Sequence, residues 1–437
     1  MKKQHFDVIC IGGGSGGIAA GVQAARFGKK VAIVEKRELG GTCVNRGCVP
    51  KKAMYYGAHI ADMLKHDATG YGFDIDVNHF DWMTLKQKRD GYIANIHKFY
   101  DKLFDAQSIT HFNAWGSFKD NHTISLDDGR EISADYIYVC PGARAIIPEK
   151  IVGHELGITS DDFFELESQP KKAVVVGGGY IGVEIAQVFH ALGTDTTLLI
   201  RREAPLMDFD QLIKDTLMKS FEMQQLDART KTQISHIEKK EHHKLAIHLD
   251  NGDTINDVDC LIWATGRVPN TQYLGLQNTD ITVNANGTIA VDVYQQTSID
   301  HIYALGDVTD SPQLTPVAIA AGRRLSRRLF NREENLKLDM TYVPTVVFSH
   351  PPIGTVGLSE KQAIAKYGQN QIKIYTSNFT ALYAAISGFR LPTAMKLVVK
   401  GDNEQVIGCH MIGHNVDEIL QGFAVAINMG ATKADFD

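Results

Sequence analysis

Short, wholly apolar runs alternate with glycine clusters along the chain. Val8-Ile9-Cys10-Ile11 predicts a buried strand; it runs into Gly12-Gly13-Gly14-Ser15-Gly16-Gly17, then into an Ala-rich stretch to Phe27-Gly28 that predicts a helix. A second apolar run, Val31-Ala32-Ile33-Val34, follows and ends on Glu35. Strand, glycine turn, helix, strand and terminal acid fall at the spacing of a dinucleotide-binding unit. Gly12 permits the tight turn, Gly14 lets backbone approach a pyrophosphate at the helix N-terminus, Gly17 allows helix and strand to pack closely, and Glu35 can accept from ribose hydroxyls. A glycine loop standing alone also caps ordinary helices; the placed strand, helix and acid favour the binding reading.

The pattern returns. Ala173-Val174-Val175-Val176 leads into Gly177-Gly178-Gly179-Tyr180-Ile181-Gly182, a helix to Leu192-Gly193, and a strand from Thr196 to Ile200 that ends in Arg201-Arg202. Guanidinium groups pair with a 2′-phosphate that an acid would repel, so this unit is expected to take NADP(H). The alternative is a solvated basic pair at a strand end. Two dinucleotide units, one acidic and one basic at the ribose position, suggest a flavin held beside a visiting nicotinamide. Leu261-Ile262-Trp263-Ala264-Thr265-Gly266-Arg267 and Ile302-Tyr303-Ala304-Leu305-Gly306-Asp307 agree, each an apolar strand closing on glycine.

Composition narrows the class. Across 437 residues, 44% are hydrophobic and 22% charged, which excludes collagen, coiled-coil and disordered readings, and the length points to more than one domain. A formal net charge of −6 with no basic block argues against nucleic acid as a partner. No segment approaches the roughly 18 apolar residues of a spanning helix, and the N-terminal stretch from Phe6 to Ile11 is too short for a signal-peptide core, so a cytoplasmic protein is expected. Of six cysteines, Cys10, Cys140, Cys260 and Cys409 sit alone and read as small core residues.

Cys43 and Cys48 share the segment Gly40-Gly41-Thr42-Cys43-Val44-Asn45-Arg46-Gly47-Cys48. Zinc wants four ligands and no second pair lies nearby, so a redox pair fits better than a metal, with two unrelated structural cysteines as the alternative. In a regular helix residues five apart have Cα atoms about 8.6 Å apart, beyond the roughly 6.8 Å limit for a disulfide. The segment is therefore expected to be distorted when oxidised, with Gly47 absorbing the distortion. Pro50 suits a first helical turn, continued by Met54, Ile60 and Met63, whose dipole together with Lys51 and Lys52 would stabilise a thiolate.

These residues, with Leu314-Thr315-Pro316-Val317-Ala318-Ile319-Ala320-Ala321-Gly322-Arg323 and Val346-Val347-Phe348-Ser349-His350-Pro351-Pro352-Ile353-Gly354, resemble the FAD-dependent pyridine nucleotide-disulfide oxidoreductases over nearly the whole chain, and within them the branch acting on glutathione disulfide. The resemblance implies an α/β fold with two Rossmann-like domains, FAD on 1–140 and 270–340 and NADPH on 141–269, plus an α+β C-terminal dimerisation domain, 341–437, that makes a homodimer. Ser15, Gly16, Glu35, Thr42, Asp307 and Thr315 would contact FAD, with Gly116 offering backbone to the adenine. Gly178, Ile181, Arg201, Arg202, Gly266, Arg267 and Val346 would contact NADPH, and Tyr180 would cover the flavin. Lys51 and Glu184 would pair near the flavin; Cys48 would face it and Cys43 the substrate. Tyr100 and Arg323 would meet glutathione.

The sequence also departs from the family. Val22 and Leu103 stand where polar residues are common, Met207 replaces an arginine, and Cys140-Pro141-Gly142 replaces Ala-Thr-Gly. Val22 and Leu103 add weight to a less charged disulfide as substrate. The sequence ends at Ala434-Asp435-Phe436-Asp437, where the family continues into a His-Pro segment bearing its acid-base catalyst; His350 and His410 match other positions. Such catalysis is worth about 10²–10⁴ in rate, so this length alone is expected to accept electrons yet turn over disulfide slowly, an extended chain restoring the rate. A dihydrolipoamide or mercuric reductase, a diaphorase and a non-catalytic NADPH-binding flavoprotein are the competing readings.

Overall fold

The computed structural model describes residues 4–437, and these form two compact units: one of residues up to 51, 87–145 and 267–340, the other of 52–86, 146–266 and 341–437.

In the first unit the strand Gln4–Ile11 is central. It pairs in parallel with Val31–Val34 on one side, Val8 opposite Val31, and with Glu131–Val139 on the other, Ile9 opposite Ile137. Thr110–Phe112, Ile302–Ala304, Thr123–Leu126 and Gly116–Asp120 complete a seven-stranded sheet. Its apolar runs are continuous because both faces are covered: Val8, Cys10, Val31 and Ile33 enter one core, while Ile9, Ile11, Ala32 and Val34 enter another. Helix Ser15–Arg26 lies against helix Thr315–Phe330, where a Cβ on Gly322 would come within 2.8 Å of the Gly16 carbonyl oxygen and Ser326 Oγ donates to the Ala20 carbonyl at 2.8 Å.

The second unit repeats the device. Asp227–Thr230, Asp195–Ile200, Lys172–Val176, Cys260–Trp263 and Ile158–Thr159 form a parallel sheet in that order, and Val174 and Val175 face opposite cores. Beside it stand a three-stranded antiparallel sheet, Ile234–Lys239, Leu245–Leu249 and Thr254–Val258, and a five-stranded one, Thr345–Val347, Ile353–Gly357, Gln405–Ile412, Thr393–Lys400 and Ile372–Phe379. Helix Gln211–Gln224 packs on the last sheet. A buried ion cluster marks that join: Lys396 Nζ lies 2.7 Å from Asp210 Oδ1 and 2.7 Å from Glu360 Oε2. Burial would raise Asp210, but Lys396 and the backbone N–H groups of Glu360 and Leu212 outweigh it and hold the carboxyl below the usual range.

Both glycine turns are compulsory for steric reasons. Gly12 has φ +111 and a Cβ there would lie 2.2 Å from the Cys140 carbonyl oxygen; one on Gly17 would lie 2.1 Å from the Gly12 oxygen. A Cβ on Gly177, φ +133, would lie 2.1 Å from the Ala264 oxygen, and one on Gly182 2.0 Å from the Gly177 oxygen. Cys140 therefore occupies in one unit the place of Ala264 in the other, each with its Cβ 3.5 Å from where a Cβ on the helix glycine would lie. The Cys140-Pro141-Gly142 departure is a variant of that same backbone turn.

All four isolated cysteines are buried, as expected for core residues. Helix Cys48–Asp62 differs from the simple amphipathic expectation: Met54 is fully buried, but Ile60 is 53% exposed, and beyond Asp62 the helix widens into a π turn, Met63–Asp67. Among the described residues no helix is long and apolar enough to cross a membrane.

Candidate active site

The two cysteines lie on separate helical pieces. Gly40 and Gly41, both at positive φ, start helix Gly41–Asn45, which carries Cys43; the chain breaks at Arg46, φ −141, and restarts as helix Cys48–Asp62. The break expected for an oxidised pair is thus already present with both sulfurs as thiols. Gly47 is needed inside it, since a Cβ would sit 2.8 Å from the Thr42 carbonyl oxygen.

This segment is fastened to the first glycine turn backbone to backbone. Gly40 N donates to the Gly13 oxygen at 2.8 Å, Gly14 and Gly40 bridge, and a Cβ on Gly41 would come within 2.8 Å of Gly14 Cα. Glycines on both sides leave a contact too close for any side chain. Glu35 secures the turn from the other side, its carboxylate accepting from Gly13 N and Arg37 N, each at 2.9 Å. Gly14 caps helix Ser15–Arg26 with no side-chain bond and no acid in the first turn, so the helix opens with bare N–H groups and a positive dipole end suited to an anion.

Around the sulfurs, Cys48 Sγ lies 3.6 Å from Thr315 Oγ1, and Cys43 interacts with Cys48, Thr315 and Ser15. The hydrogen bond to Cys48, then burial, push the Cys43 thiol up while both sulfurs are thiols. Burial and the neighbouring Cys43 likewise raise the Tyr100 hydroxyl. Arg323 is exposed, two turns along the helix that Thr315 begins. Thr42 is exposed beside Cys43, Gly116 opens a strand against Val34, and Asp307, raised by burial, faces Arg267. Val22 is buried and Leu103 packs on the same core, so both are apolar because they are interior.

In the second unit, Gly179 caps helix Tyr180–Ala191 with φ −78 and ψ 174, close to the φ −79 and ψ −177 of Gly14. Its turn is fastened as the first is by Gly40: Leu206, itself at φ +51, donates its N–H to the Gly178 oxygen at 2.7 Å. Arg201 and Arg202 are both exposed, Met207 is half-buried, and Gly266, φ +137, accepts from Ile146 N at 3.0 Å. Ile181 is half-buried and Tyr180 is 38% exposed. Glu184 is buried, with Oε1 accepting from Phe348 N at 2.8 Å, two residues from Val346 on strand Thr345–Val347.

Lys52 departs from expectation. Its ammonium pairs with Glu418 at 3.3 Å and lies over the Tyr56 and Phe348 rings, so its charge is offset instead of being given to a thiolate.

Two positioning residues escaped the sequence reading. Asn45 donates to the carbonyls of Gly41 at 2.9 Å and Leu39 at 3.1 Å, while its oxygen meets His97 Nε2 at 2.7 Å. The available signal was that His97 precedes Tyr100 by one helical turn on helix Trp82–Ala106.

Residues 6–322 match the pyridine nucleotide-disulphide oxidoreductase family, and residues 343–437 match its dimerisation domain. The chain is 43% identical over 450 residues to a glutathione reductase of Yarrowia lipolytica and 45% identical over 442 residues to one of Schizosaccharomyces pombe. Each alignment covers 99% of this chain and 95% of the relative. Such proteins work with a flavin and a nicotinamide. With its paired glycine turns and its neighbouring thiols, the chain belongs to the pyridine nucleotide-disulphide oxidoreductase family.

Proposed function

We propose that the chain is a homodimeric, cytoplasmic, FAD-bearing reductase that converts glutathione disulfide into two glutathione molecules at the expense of NADPH. The observation that carries this reading is the backbone seam joining Gly13-Gly14 to Gly40-Gly41, which ties a dithiol to a nucleotide turn. Cradles too narrow for a Cβ, an acid at one strand end and arginines at the other fit FAD and NADPH respectively. FAD would lie against 1–140 and 270–340, contacting Ser15, Gly16, Glu35, Thr42, Gly116, Asp307 and Thr315. NADPH would lie against 141–269, contacting Gly178, Ile181, Arg201, Arg202 and Gly266, with Arg267 and Val346 beside them. When bound, these groups supply an electron pair to the Cys43–Cys48 disulfide.

The residues then carry out thiol–disulfide exchange. Cys43, as thiolate, attacks one sulfur of the substrate; the substrate S–S bond breaks, one glutathione thiolate leaves and a mixed disulfide remains. Cys48 attacks the Cys43 sulfur, expels the second glutathione thiolate and restores the intramolecular disulfide, and the two thiolates take up protons from the medium. Lys51 and Glu184 are the charged residues assigned to the reacting face, Tyr180 is its shield, and Tyr100 and Arg323 hold the substrate. A dimer is supported by apolar side chains left on the surface of the second unit, with Ile60 53%, Leu382 77%, Val425 51% and Met429 83% exposed. The name carried by both yeast relatives supports glutathione disulfide. A less charged small disulfide is the second reading; Val22 and Leu103, being interior, do not bear on the choice.

The deciding experiment is a single turnover of the flavin-loaded chain. Protein reduced by one equivalent of NADPH is expected to release two thiols on addition of glutathione disulfide, and neither Cys43→Ser nor Cys48→Ser releases them. Purified protein that takes up no flavin, or a serine variant that still releases both thiols, overturns the reading; faster release from a less charged disulfide moves the substrate to the second.

A further inference from the structure

The three-stranded sheet of the second unit carries none of the residues discussed so far, yet it brings together a ligand set. Strands Ile234–Lys239 and Leu245–Leu249 are antiparallel with His236 opposite His248, and Glu238 stands two residues along on the same face as His236. The two imidazoles stack at 4.1 Å between centroids with 2° between planes. One ligand atom from each of His236, Glu238 and His248 lies within 4.8 Å of the others. Glu238 places Oε1 3.7 Å from His236 Nε2 and Oε2 3.7 Å from His248 Nε2.

The remaining ring nitrogens are held by hydroxyls. Ser235 Oγ donates to the His248 carbonyl at 3.1 Å and so accepts, at 3.1 Å, from His236 Nδ1. That hydrogen bond puts the proton on Nδ1 and the lone pair on Nε2, the tautomer a metal requires. His248 Nδ1 is engaged by Thr254 Oγ1 at 3.0 Å, while its Nε2 is buried with no hydrogen-bond partner. A buried polar nitrogen turned toward a carboxylate too distant to bond it is unsatisfied as it stands, and a cation between them would satisfy both.

We propose that His236 Nε2, His248 Nε2 and a Glu238 oxygen bind one divalent transition ion of the zinc class, the remaining positions taken by water. Two imidazoles and one carboxylate select such ions over magnesium or calcium, which prefer oxygen alone. Two groups must move: Lys240, whose ammonium lies 2.6 Å from Glu238 Oε2, must swing away, and one of the stacked imidazoles must turn so that both in-plane Nε2 lone pairs reach the ion.

Calorimetric titration of the flavin-loaded full chain with zinc chloride tests this, magnesium chloride serving as the reference ion and Cys43→Ser separating out any zinc taken by the thiols. One zinc per chain is expected to bind and to persist in Cys43→Ser. His236→Gln and His248→Gln should each weaken that event at least about tenfold, the minimum expected when a ligand itself is lost, and Lys240→Ala should tighten it. No such event in the parent chain, an isotherm unchanged by either histidine substitution, equal binding of magnesium, or no tightening in Lys240→Ala overturns the proposal.

Discussion

The two glycine turns are built to one steric plan and share one main-chain fastening, to which the first adds a side-chain one. In the first, an N–H of the turn, from Gly13, is donated to the Glu35 carboxylate at the end of the next strand. In both, a carbonyl of the turn accepts a main-chain N–H from the loop after the next strand, Gly13 from Gly40 and Gly178 from Leu206, but the second strand end carries Arg201 and Arg202. Arginine has no acceptor to offer a turn N–H. Replacing the acid therefore does two things at once: it places positive charge where a 2′-phosphate would sit, and it removes the side-chain acceptor from the turn N–H. Equal glycines hold the shape, and on the proposed reading the residue at the strand end sets the ligand.

The strongest way to break the parallel is to fill the turns. Gly12→Ala is expected to yield protein without flavin, read from visible absorbance after purification. Gly177→Ala should keep its flavin and lose NADPH-driven reduction to below detection in a stopped-flow assay. Both substitutions put a methyl about 2.2 Å or less from a carbonyl oxygen, so the backbone must shift; if the two variants lose the same ligand, the turns are not separate sites. Reversing charge at the second strand end comes next. Arg201→Glu with Arg202→Glu should lower kcat/KM for NADPH about 10²-fold, since like charges set against each other cost several kcal/mol, while the value for NADH holds or rises. Equal use of NADPH and NADH by the parent chain would show instead that the basic pair is merely solvated. The smallest effect is expected from Glu35→Gln, which keeps an acceptor but loses its charge. Flavin affinity should weaken roughly tenfold, in line with the value of a charge-assisted hydrogen bond, measured by fluorescence titration of the flavin-free protein.

What the sequence made legible was local and steric. The turns could be read because glycine at a fixed spacing is the only solution to carbonyl oxygens close to 2 Å from a would-be Cβ, and the break between Cys43 and Cys48 could be read because a helix cannot bring residues five apart together. Contacts between distant positions were hidden. Asn45 and His97 are 52 positions apart, and Lys52 and Glu418 are 366 apart. Ile60 looked interior because helical periodicity marks an apolar residue without saying what covers it. His236 and His248 meet only through a strand register that the irregular connection 240–244 decides. The allotment of 52–86 to the second unit is likewise a property of packing between segments far apart in the chain.

The seam of four glycines joining the first turn to the cysteine segment has a consequence for protein engineering. A redox pair transplanted into another scaffold as its nine-residue stretch would arrive without the opposing backbone that sets its pitch, and lengthening either loop by one residue would part them. The transferable module is discontinuous, residues 12–17 together with 40–48, and a host must reproduce the gap between them before it can reproduce the chemistry.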